Sequence, residues 1–287
     1  MNTRKEKNGT RSFSARFFML ALTAVLWIAG VSAADAGITA KAAEAVEAAS
    51  TTETAETAET VAAEEAYTGW ETVDDVKYYY VDGEKVTGWK KISGKYYYFN
   101  AKGKLQTNKI VGSKKAGYYY VDKTGVRVTD SRIKAAVSFV VKHSKSSQSN
   151  RQRLKACYKA MCKNPYTRFY GETPTASKMA SYASYMFKNN TGNCYRYASA
   201  MAYIARVLGY DSRVSVGGVN SYGGTTLSPH GWCEVKVGST WRIIDCSIQN
   251  RHPDVSLFLV TRKSFPYLLR CNSTFRMTVK NGKVSWK

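Results

Sequence analysis

The sequence predicts an α+β protein, in which a short solenoid of β-hairpins precedes a domain with a helical first half and an antiparallel sheet in its second half. An aromatic motif recurs roughly every 20 residues between residues 67 and 130, and so short a period indicates small units that stack to bury apolar surface. Within residues 131–287, apolar residues first follow helical spacing and then form strand-like segments. Helices followed by consecutive strands are typical of the α+β class.

The first 66 residues are predicted to lie outside the folded part. Basic residues precede an apolar run over residues 17–31, and Val31-Ser32-Ala33 supplies a small-x-small cleavage site, so residues 1–33 are predicted to be a secretory signal peptide. A membrane anchor is the alternative, because the run is close to the lower length limit for a membrane span. Residues 34–66 are Ala/Glu/Thr repeats and are predicted to be a disordered linker. The mature protein is therefore expected to be secreted, with no membrane segment after cleavage.

The charge and cysteine content restrict the function further. The 43 Lys and Arg residues against 21 Asp and Glu residues give a net charge of +22, which favours an anionic partner such as a wall polyanion. Nucleic acid is not predicted, because an exported enzyme meets little of it and no RNP-like aromatic motif is present. The six cysteines contain no CxxC, and no glycine-rich phosphate loop stands between a strand and a helix. No metal and no cofactor are predicted.

Each repeat combines a tryptophan with a tyrosine triplet. Trp70 and Trp89 follow a glycine, and a run of three tyrosines comes roughly ten residues later, before a turn that predicts a hairpin. A regular row of Trp and Tyr rings can hold a quaternary ammonium group by cation–π attraction, or can stack on sugar rings. The alternative is that these rings only form the core of the solenoid.

The repeats resemble the choline-binding and glucan-binding repeats of Gram-positive surface proteins. The resemblance implies a ligand site built from the Gly-Trp tryptophan, one ring of the triplet and the tryptophan of the next unit. In this sequence these are Trp70, Tyr79 and Trp89, with Tyr78 nearby. A second site with Trp89 and Tyr97 lacks its closing tryptophan, because the third unit has no Gly-Trp. The implied partner is a cell-wall polymer, and choline-decorated teichoic acid and glucan both remain open.

Cys194 is the candidate nucleophile of the C-terminal domain. From Cys194, the apolar residues Ala198, Met201 and Leu208 fall on one helical face, and Gly209 is predicted to end the helix. Cys194 therefore stands at the N-terminus of a buried helix, where the helix dipole and the free N–H groups favour a thiolate. The same N–H groups can hold an oxyanion.

His230 and Asp245 are the candidate partners of Cys194. They belong to two predicted strands joined by a turn at Gly238-Ser239. If Val235 opposes Thr240, His230 opposes Asp245 directly on one face of the sheet. A helix packed on that face brings Cys194 to His230, which would complete a nucleophile, a base and an orienting acid.

Three stretches together resemble the transglutaminase-like superfamily of papain-type cysteine enzymes. They are Gly192-Asn193-Cys194 running to Leu208-Gly209, His230-Gly231-Trp232-Cys233-Glu234-Val235, and Trp241 to Asp245. The resemblance covers about residues 176–248 and implies a papain-like transglutaminase core within residues 131–287. It also implies that Cys194 is the nucleophile, His230 the base and Asp245 the residue that orients His230. The family's usual Asp-Pro-Thr is replaced here by Asp-Cys-Ser.

The resemblance favours a secreted, wall-associated peptidase or amidase that forms a thioacyl intermediate on a protein or peptide substrate. Two other functions remain open: a cross-linking transglutaminase with an amine acceptor, and a non-enzymatic wall-binding protein with an inactive domain. The sequence leaves open the pairing of the other five cysteines and the side chain of the oxyanion hole.

Overall fold

A computed structural model describes residues 66–287. The predicted signal peptide and all of the predicted linker except residue 66 lie outside the described residues. Within the described range, no helix has both the length and the apolar character needed to cross a membrane.

The repeat region is built from three antiparallel β-hairpins, which confirms the predicted solenoid of hairpins. The strands are β1 (Gly69–Val73), β2 (Val76–Val81), β3 (Glu84–Lys85), β4 (Gly88–Ile92), β5 (Lys95–Phe99), β6 (Lys109–Ser113) and β7 (Gly117–Val121). β1 pairs with β2, β4 with β5, and β6 with β7. Two-residue turns at Asp74-Asp75 and Ser93-Gly94 close the first two hairpins with positive φ at all four positions. This geometry matches the right-handed twist of the strands.

Backbone hydrogen bonds connect each hairpin to the next. The Leu105 N–H donates to the Lys77 carbonyl across 2.9 Å, and the Arg127 N–H donates to the Tyr96 carbonyl across 2.8 Å. Phe99 is fully buried and its ring lies 5.8 Å from that of Trp70 in the preceding hairpin. Each unit therefore buries its apolar residues against a neighbour, as a solenoid requires.

The helices of the C-terminal region surround one central helix. They are α1 (Ser131–His143), α2 (Asn150–Met161), α3 (Met179–Asn189), α4 (Cys194–Val207) and α5 (Cys246–Arg251), and a 3-10 turn, Ala176–Lys178, precedes α3. Every residue of α4 is buried, because α1, α3 and the sheet pack around it. Gly209 follows α4 with a φ of +90°, so a left-handed residue ends the helix at the predicted position.

The sheet has six antiparallel strands. They are β8 (Ser212–Val219), β9 (Ser228–Val237), β10 (Thr240–Ile244), β11 (Phe258–Val260), β12 (Leu269–Lys280) and β13 (Lys283–Trp286). Their order is β11-β10-β9-β8-β12-β13. The helical first half and the antiparallel second half confirm the predicted α+β fold. The sequence analysis did not identify α5, β11, β12 or β13.

The register of the central hairpin differs from the expected one by two residues. Thr240 pairs with Val237, and not with Val235, because Gly238-Ser239 forms a tight two-residue turn with Gly238 at φ +60°. Asp245 therefore follows the last strand pair and does not lie directly opposite His230. Side chains alternate between the two faces with a period of two, so a shift of two residues leaves both on the same face.

The face on which α4 packs was also predicted wrongly. Cys233 and Val235 belong to the apolar cluster of α4, whereas Trp232 belongs to a separate cluster on the other face of β9. The apolar residues Cys233 and Val235 of β9 face the apolar helix, and the other face of the strand packs into its own apolar cluster around Trp232. α4 still reaches His230 through its first turn, since a Cβ on Gly231 would lie only 2.5 Å from the Tyr195 ring.

The third repeat is joined to the C-terminal domain. Asn108 occupies the position where the other units have Gly-Trp, and its Nδ2 donates to the Gly209 carbonyl across 2.9 Å, while its Oδ1 accepts from the Tyr120 hydroxyl across 2.7 Å. Lys123 pairs with Asp211 across 2.9 Å. The loss of the third Gly-Trp therefore has a structural reason, because this unit contacts the end of α4.

Candidate active site and aromatic binding site

Cys194 lies at the first position of α4, as predicted. The Asn193 side chain caps the helix by accepting the Arg196 N–H across 3.4 Å. A Cβ on Gly192 would come within 2.7 Å of the Arg196 Cβ, so the glycine of Gly-x-Cys permits this close entry into the helix. Gly192 also forms a parallel bridge with Tyr166, which brings the loop before α3 next to Cys194.

His230 and Asp245 form a buried pair. His230 Nε2 lies 2.6 Å from Asp245 Oδ2, and the two residues are 5% and 2% exposed. Asp245 caps α5, so its Oδ1 accepts hydrogen bonds of 3.0–3.1 Å from the Ser247 N–H, the Ser247 hydroxyl and the Ile248 N–H. One carboxylate oxygen is thus fixed by the helix, while the other contacts His230. The serine of Asp-Cys-Ser supplies a hydroxyl to this cap.

The charge on His230 reflects both partners. Burial opposes the imidazolium, but the Asp245 carboxylate and the Cys194 sulfur outweigh burial and raise the pKa of His230 from 6.5 to about 10. Cys194, at the start of α4, is therefore near enough to His230 to influence its charge. Because Nε2 contacts Asp245, Nδ1 is the ring nitrogen left for Cys194.

A second charged network supports the His230 ring. Trp232 stacks on His230 with ring centroids 6.0 Å apart and an interplanar angle of 19°, and its Nε1 donates to Glu234 Oε1 across 2.9 Å. Arg213 and Arg262 pair with Glu234 across 2.5 and 2.8 Å. Burial alone would raise the pKa of Glu234, but the hydrogen bond from Trp232 and the two guanidinium groups lower it below 4.5. The sequence analysis included Glu234 in a family motif but did not find its two arginine partners.

Tyr166 is a site residue that the sequence analysis did not find. Burial and the nearby Cys194 sulfur raise the pKa of Tyr166 to about 12, although a hydrogen bond with the Cys194 backbone opposes them. The loop of Tyr166 is held to α4 by a double contact between Glu172 and the Arg196 guanidinium at 2.7 and 2.8 Å. Phe169 stacks on the same guanidinium at 3.5 Å. No spacing rule links this loop to Cys194, so the sequence carried no signal for it.

The predicted ligand residues of the repeats fall into two aromatic clusters. The Trp70 ring contacts Tyr79 at 5.2 Å and Tyr97 at 5.1 Å, and Trp70 is 38% exposed. Tyr78 is nearly buried, and the ammonium group of Lys85 lies 4.4 Å from its ring. We call Trp70, Tyr79 and Tyr97 the first aromatic cluster. The second repeat contributes Tyr97 to this cluster, whereas the sequence analysis expected it to contribute Trp89.

Trp89 belongs to a second aromatic cluster, which already holds a cation. Its ring contacts Tyr98 at 5.0 Å and Tyr119 at 5.5 Å. The Arg127 guanidinium lies 3.8 Å from the Tyr119 ring and 5.6 Å from the Trp89 ring. The joint ligand site of Trp70 and Trp89 stays a prediction, since their rings make no direct contact in the described part of the chain.

Comparison with known families assigns both halves of the described chain. A model of the transglutaminase-like superfamily matches residues 137–246, and a model of the choline-binding repeat matches residues 86–131. The chain combines a transglutaminase-like domain with choline-binding repeats. The first match ends one residue beyond Asp245, so the transglutaminase-like region contains all three predicted triad residues. None of the curated proteins matches the sequence.

Several solved structures resemble parts of this chain. The choline binding domain of a Streptococcus pneumoniae protein is 30% identical over 23% of this chain and 98% of that domain, with a TM-score of 0.21. Choline binding protein F from Streptococcus pneumoniae is 31% identical over 22% of this chain and 21% of that protein, with a TM-score of 0.20. The arylamine N-acetyltransferase from Mycobacterium abscessus is 15% identical over 54% of this chain and 55% of that enzyme, with a TM-score of 0.33. The chain therefore spans a small part of one of these relatives and about half of another.

Proposed function

We propose that this protein is a secreted, wall-associated cysteine enzyme that cleaves amide bonds of a peptide by acyl transfer. One observation carries the proposal: the buried His230–Asp245 pair, 2.6 Å apart, lies beside Cys194 at the start of α4. Acyl transfer by a thiol requires a nucleophile, a proton-transfer group and a residue that holds that group in one tautomer. Cys194, His230 and Asp245 are the residues to which we assign these roles.

The first half-reaction forms a thioester. The Cys194 sulfur attacks the carbonyl carbon of the amide, the carbon–nitrogen bond breaks, and His230 gives its proton to the leaving amine. The raised pKa of His230 keeps the imidazole protonated at neutral pH, which is the state that the leaving group requires. Asp245 holds the ring through Nε2, so Nδ1 is the nitrogen that delivers the proton.

The second half-reaction releases the acyl group. His230, now neutral, removes a proton from water, the resulting oxygen attacks the thioester carbonyl, and the bond to the Cys194 sulfur breaks. The products are a carboxylic acid and the Cys194 thiolate beside protonated His230, so the enzyme returns to its initial state. An amine acceptor in place of water would instead produce a cross-link.

The negative charge on the carbonyl oxygen needs hydrogen-bond donors. The backbone N–H of Cys194 lies at a helix start, where the dipole favours negative charge. This N–H donates to the hydroxyl oxygen of Tyr166, so a bound substrate carbonyl would take the place of that oxygen. We assign the oxyanion site to the Cys194 N–H, with the displaced Tyr166 hydroxyl as the second donor.

The repeats would hold the enzyme at the cell wall. Choline-binding repeats and the partly exposed first aromatic cluster support a choline-containing wall polymer as the ligand, since aromatic faces attract quaternary ammonium groups. The predicted signal peptide, residues 1–33, supplies export. In this proposal residues 67–130 bind the wall polymer, and residues 131–287 carry out the chemistry.

The enzymatic part is tested by the pH dependence of Cys194 alkylation. Iodoacetamide should modify Cys194 in the purified protein well below pH 8, where an ordinary thiol with a pKa near ~8.5 is mostly protonated. His230→Ala should remove this reactivity, whereas Cys271→Ala at the edge of the sheet should leave it unchanged. A disulfide at Cys194, or ordinary thiol reactivity that ignores His230, would favour the non-enzymatic alternative.

Turnover separates the hydrolase from the cross-linking enzyme. Peptide mixtures are incubated with the protein in the presence and absence of a primary amine, and the products are identified by mass spectrometry. We expect a carboxylate at the cleaved bond in both mixtures. Dominant incorporation of the amine would overturn the peptidase proposal in favour of a transglutaminase.

A further inference from the structure

A cleft of about 300 Å³ opens beside His230. Ser247 and Tyr166 line it together with His230, so the cleft adjoins the candidate active site. Arg168 and Arg251 line it as well, and no Asp or Glu occurs among its described lining residues. The cleft therefore forms a positively charged entrance to the candidate active site. The other charged side chains of that site are paired with one another.

The two arginines of the cleft differ from three arginines that are mostly buried in the domain. Arg196, Arg206 and Arg213 each pair with a carboxylate within 2.8 Å. Within residues 66–287, neither Arg168 nor Arg251 has a carboxylate within 4.0 Å. A guanidinium with no partner in the protein retains its capacity to bind an external anion.

Arg251 is also held in place. Its guanidinium lies 4.4 Å from the Tyr166 ring and 5.7 Å from the Tyr222 ring, and Arg251 is the last residue of α5, which Asp245 caps. Stacking on aromatic rings fixes the plane of the guanidinium and leaves its edge available for a carboxylate. Because Tyr166 contacts Cys194 as well, only one aromatic ring separates the Arg251 guanidinium from the proposed nucleophile.

We propose that the cleft selects acyl donors that carry a carboxylate next to the cleaved amide, and that Arg251 and Arg168 bind this carboxylate. This inference rests on the proposed function, since it names the substrate class of the same site. A peptide is favoured over a phosphate-containing wall polymer for two reasons. The cleft leads directly to the acyl-transfer residues, and Tyr170 and Tyr222, which are 83% and 66% exposed, provide aromatic surface for a peptide chain.

The test uses two acyl donors of equal shape, the thiobenzyl esters of N-acetyl-glutamate and N-acetyl-glutamine. A thioester needs no amide cleavage, so the comparison does not depend on knowing the natural peptide. We expect the glutamate ester to have a kcat/KM at least about tenfold higher, which is the size of one hydrogen bond to a charged group. Arg251→Gln and Arg168→Gln should each lower kcat/KM for the glutamate ester more than for the glutamine ester, so that the preference disappears.

Matched controls and competitors complete the experiment. Arg251→Lys should retain part of the preference, and Arg151→Gln, a variant of an exposed arginine on α2, should retain all of it. Equal rates for the two esters in the unmodified protein would overturn the inference while leaving the proposed enzyme intact. Stronger inhibition by glycerol phosphate than by N-acetyl-glutamate would overturn it in favour of a polymer site. Reaction with neither ester, together with ordinary alkylation of Cys194, would overturn the proposed function itself.

Discussion

The two candidate sites of this protein are built in opposite ways. In the repeats, each ring contacts rings of its own or the next repeat, as Trp70 does with Tyr79 and Tyr97, and the site stays partly exposed. In the transglutaminase-like domain, Cys194, His230 and Asp245 come from a helix, a strand and a strand end, and all three are nearly buried. The first site is a sum of local contacts, whereas the second depends on the packing of the whole domain.

This difference predicts how each site responds to substitution of its residues. Buried charges that share one network lose their effect together, because each member sets the charge or orientation of the next. Exposed aromatic contacts are nearly independent, so each removal should weaken binding by a limited amount. We therefore expect that combined variants of the domain lose less activity than the sum of the single variants. In the repeats, each further substitution should weaken ligand binding by an additional limited amount.

The largest expected effect is the loss of acyl transfer in Cys194→Ala and His230→Ala. Each variant should lower kcat/KM by about 10³-fold or more, and the double variant should lose no more than either single variant, since both act on one step. Steady-state kinetics with the thiobenzyl esters checks this, and circular dichroism confirms that the variants fold. Losses that add fully in the double variant would show that the two residues work independently.

Asp245→Asn should have the next largest effect. It removes the carboxylate that raises the pKa of His230 and orients its ring, so we expect a loss of about 10²- to 10⁴-fold in kcat. The protonated imidazole is the active form, and activity is lost as the pH rises through the pKa of His230. The alkaline limb of the pH–kcat profile should therefore move to lower pH in Asp245→Asn. An unchanged alkaline limb would show that Asp245 does not set the charge on His230.

Glu234→Gln tests the supporting network. The lost ion pairs should reduce the free energy of unfolding at pH 7 by about 1–3 kcal/mol, less than for a fully buried pair because Arg213 and Arg262 are partly exposed. The folded pKa of Glu234 lies below its ordinary value of 4.5, so its contribution is present above pH 4.5. The contribution disappears as the pH falls through the lower folded pKa.

Denaturant titrations of both proteins across this pH range check the prediction. The difference between the unmodified protein and Glu234→Gln should be full at pH 7 and should shrink on acidification below pH 4.5. A difference of the same size at every pH would mean that the charge of Glu234 contributes nothing. Glu84→Gln on the exposed strand β3 serves as the control and should change stability little at any pH.

The sequence predicted most of the domain site because the decisive signals are periodic. The helical spacing after Cys194 placed it at a helix start, and the alternation in β9 placed His230 and Asp245 on one face even though the register differed by two residues. The face of the sheet on which α4 packs was predicted wrongly, because alternation identifies two faces without telling which one meets the helix. Tyr166 and Arg251 were not predicted, since they come from a loop and a short helix that only the tertiary packing brings to the site.

In the repeats, the hairpins could be predicted but the pairing of rings could not. The tyrosine triplets and turn residues determine each unit, whereas the stacking between units decides that Trp70 contacts Tyr97. The sequence also gave no sign that Arg127 would lie on Trp89 and Tyr119. Backbone contacts between repeats, the bridge between Tyr97 and Val126 and the hydrogen bond from the Arg127 N–H to the Tyr96 carbonyl, bring Arg127 there.

Trp70→Ala should weaken choline binding by about tenfold, the size of one cation–π contact in a partly desolvated site. Elution of the purified protein from a choline resin with free choline measures this effect. Tyr118→Ala, which changes an exposed ring of the third repeat, should leave elution unchanged. Equal binding by Trp70→Ala and the unmodified protein would place the ligand site outside the first aromatic cluster.

The smallest effect we expect is a gain of choline binding in Arg127→Ala. The guanidinium lies 3.8 Å from Tyr119 and 5.6 Å from Trp89, where it takes the place that a ligand cation would occupy, so its removal should expose a second aromatic site. The gain should be only a few-fold, because the cluster lacks a third tryptophan, whose position in the third repeat is occupied by Lys109. The protein also loses a contact of about 0.5–2 kcal/mol. Arg127→Lys keeps a cation at the rings and should bind choline as the unmodified protein does. Isothermal titration with choline measures the number of binding sites. An unchanged number in Arg127→Ala would mean that the second aromatic cluster is purely structural. The first cluster would then bind a ligand and the second would not, even without the Arg127 guanidinium on its rings.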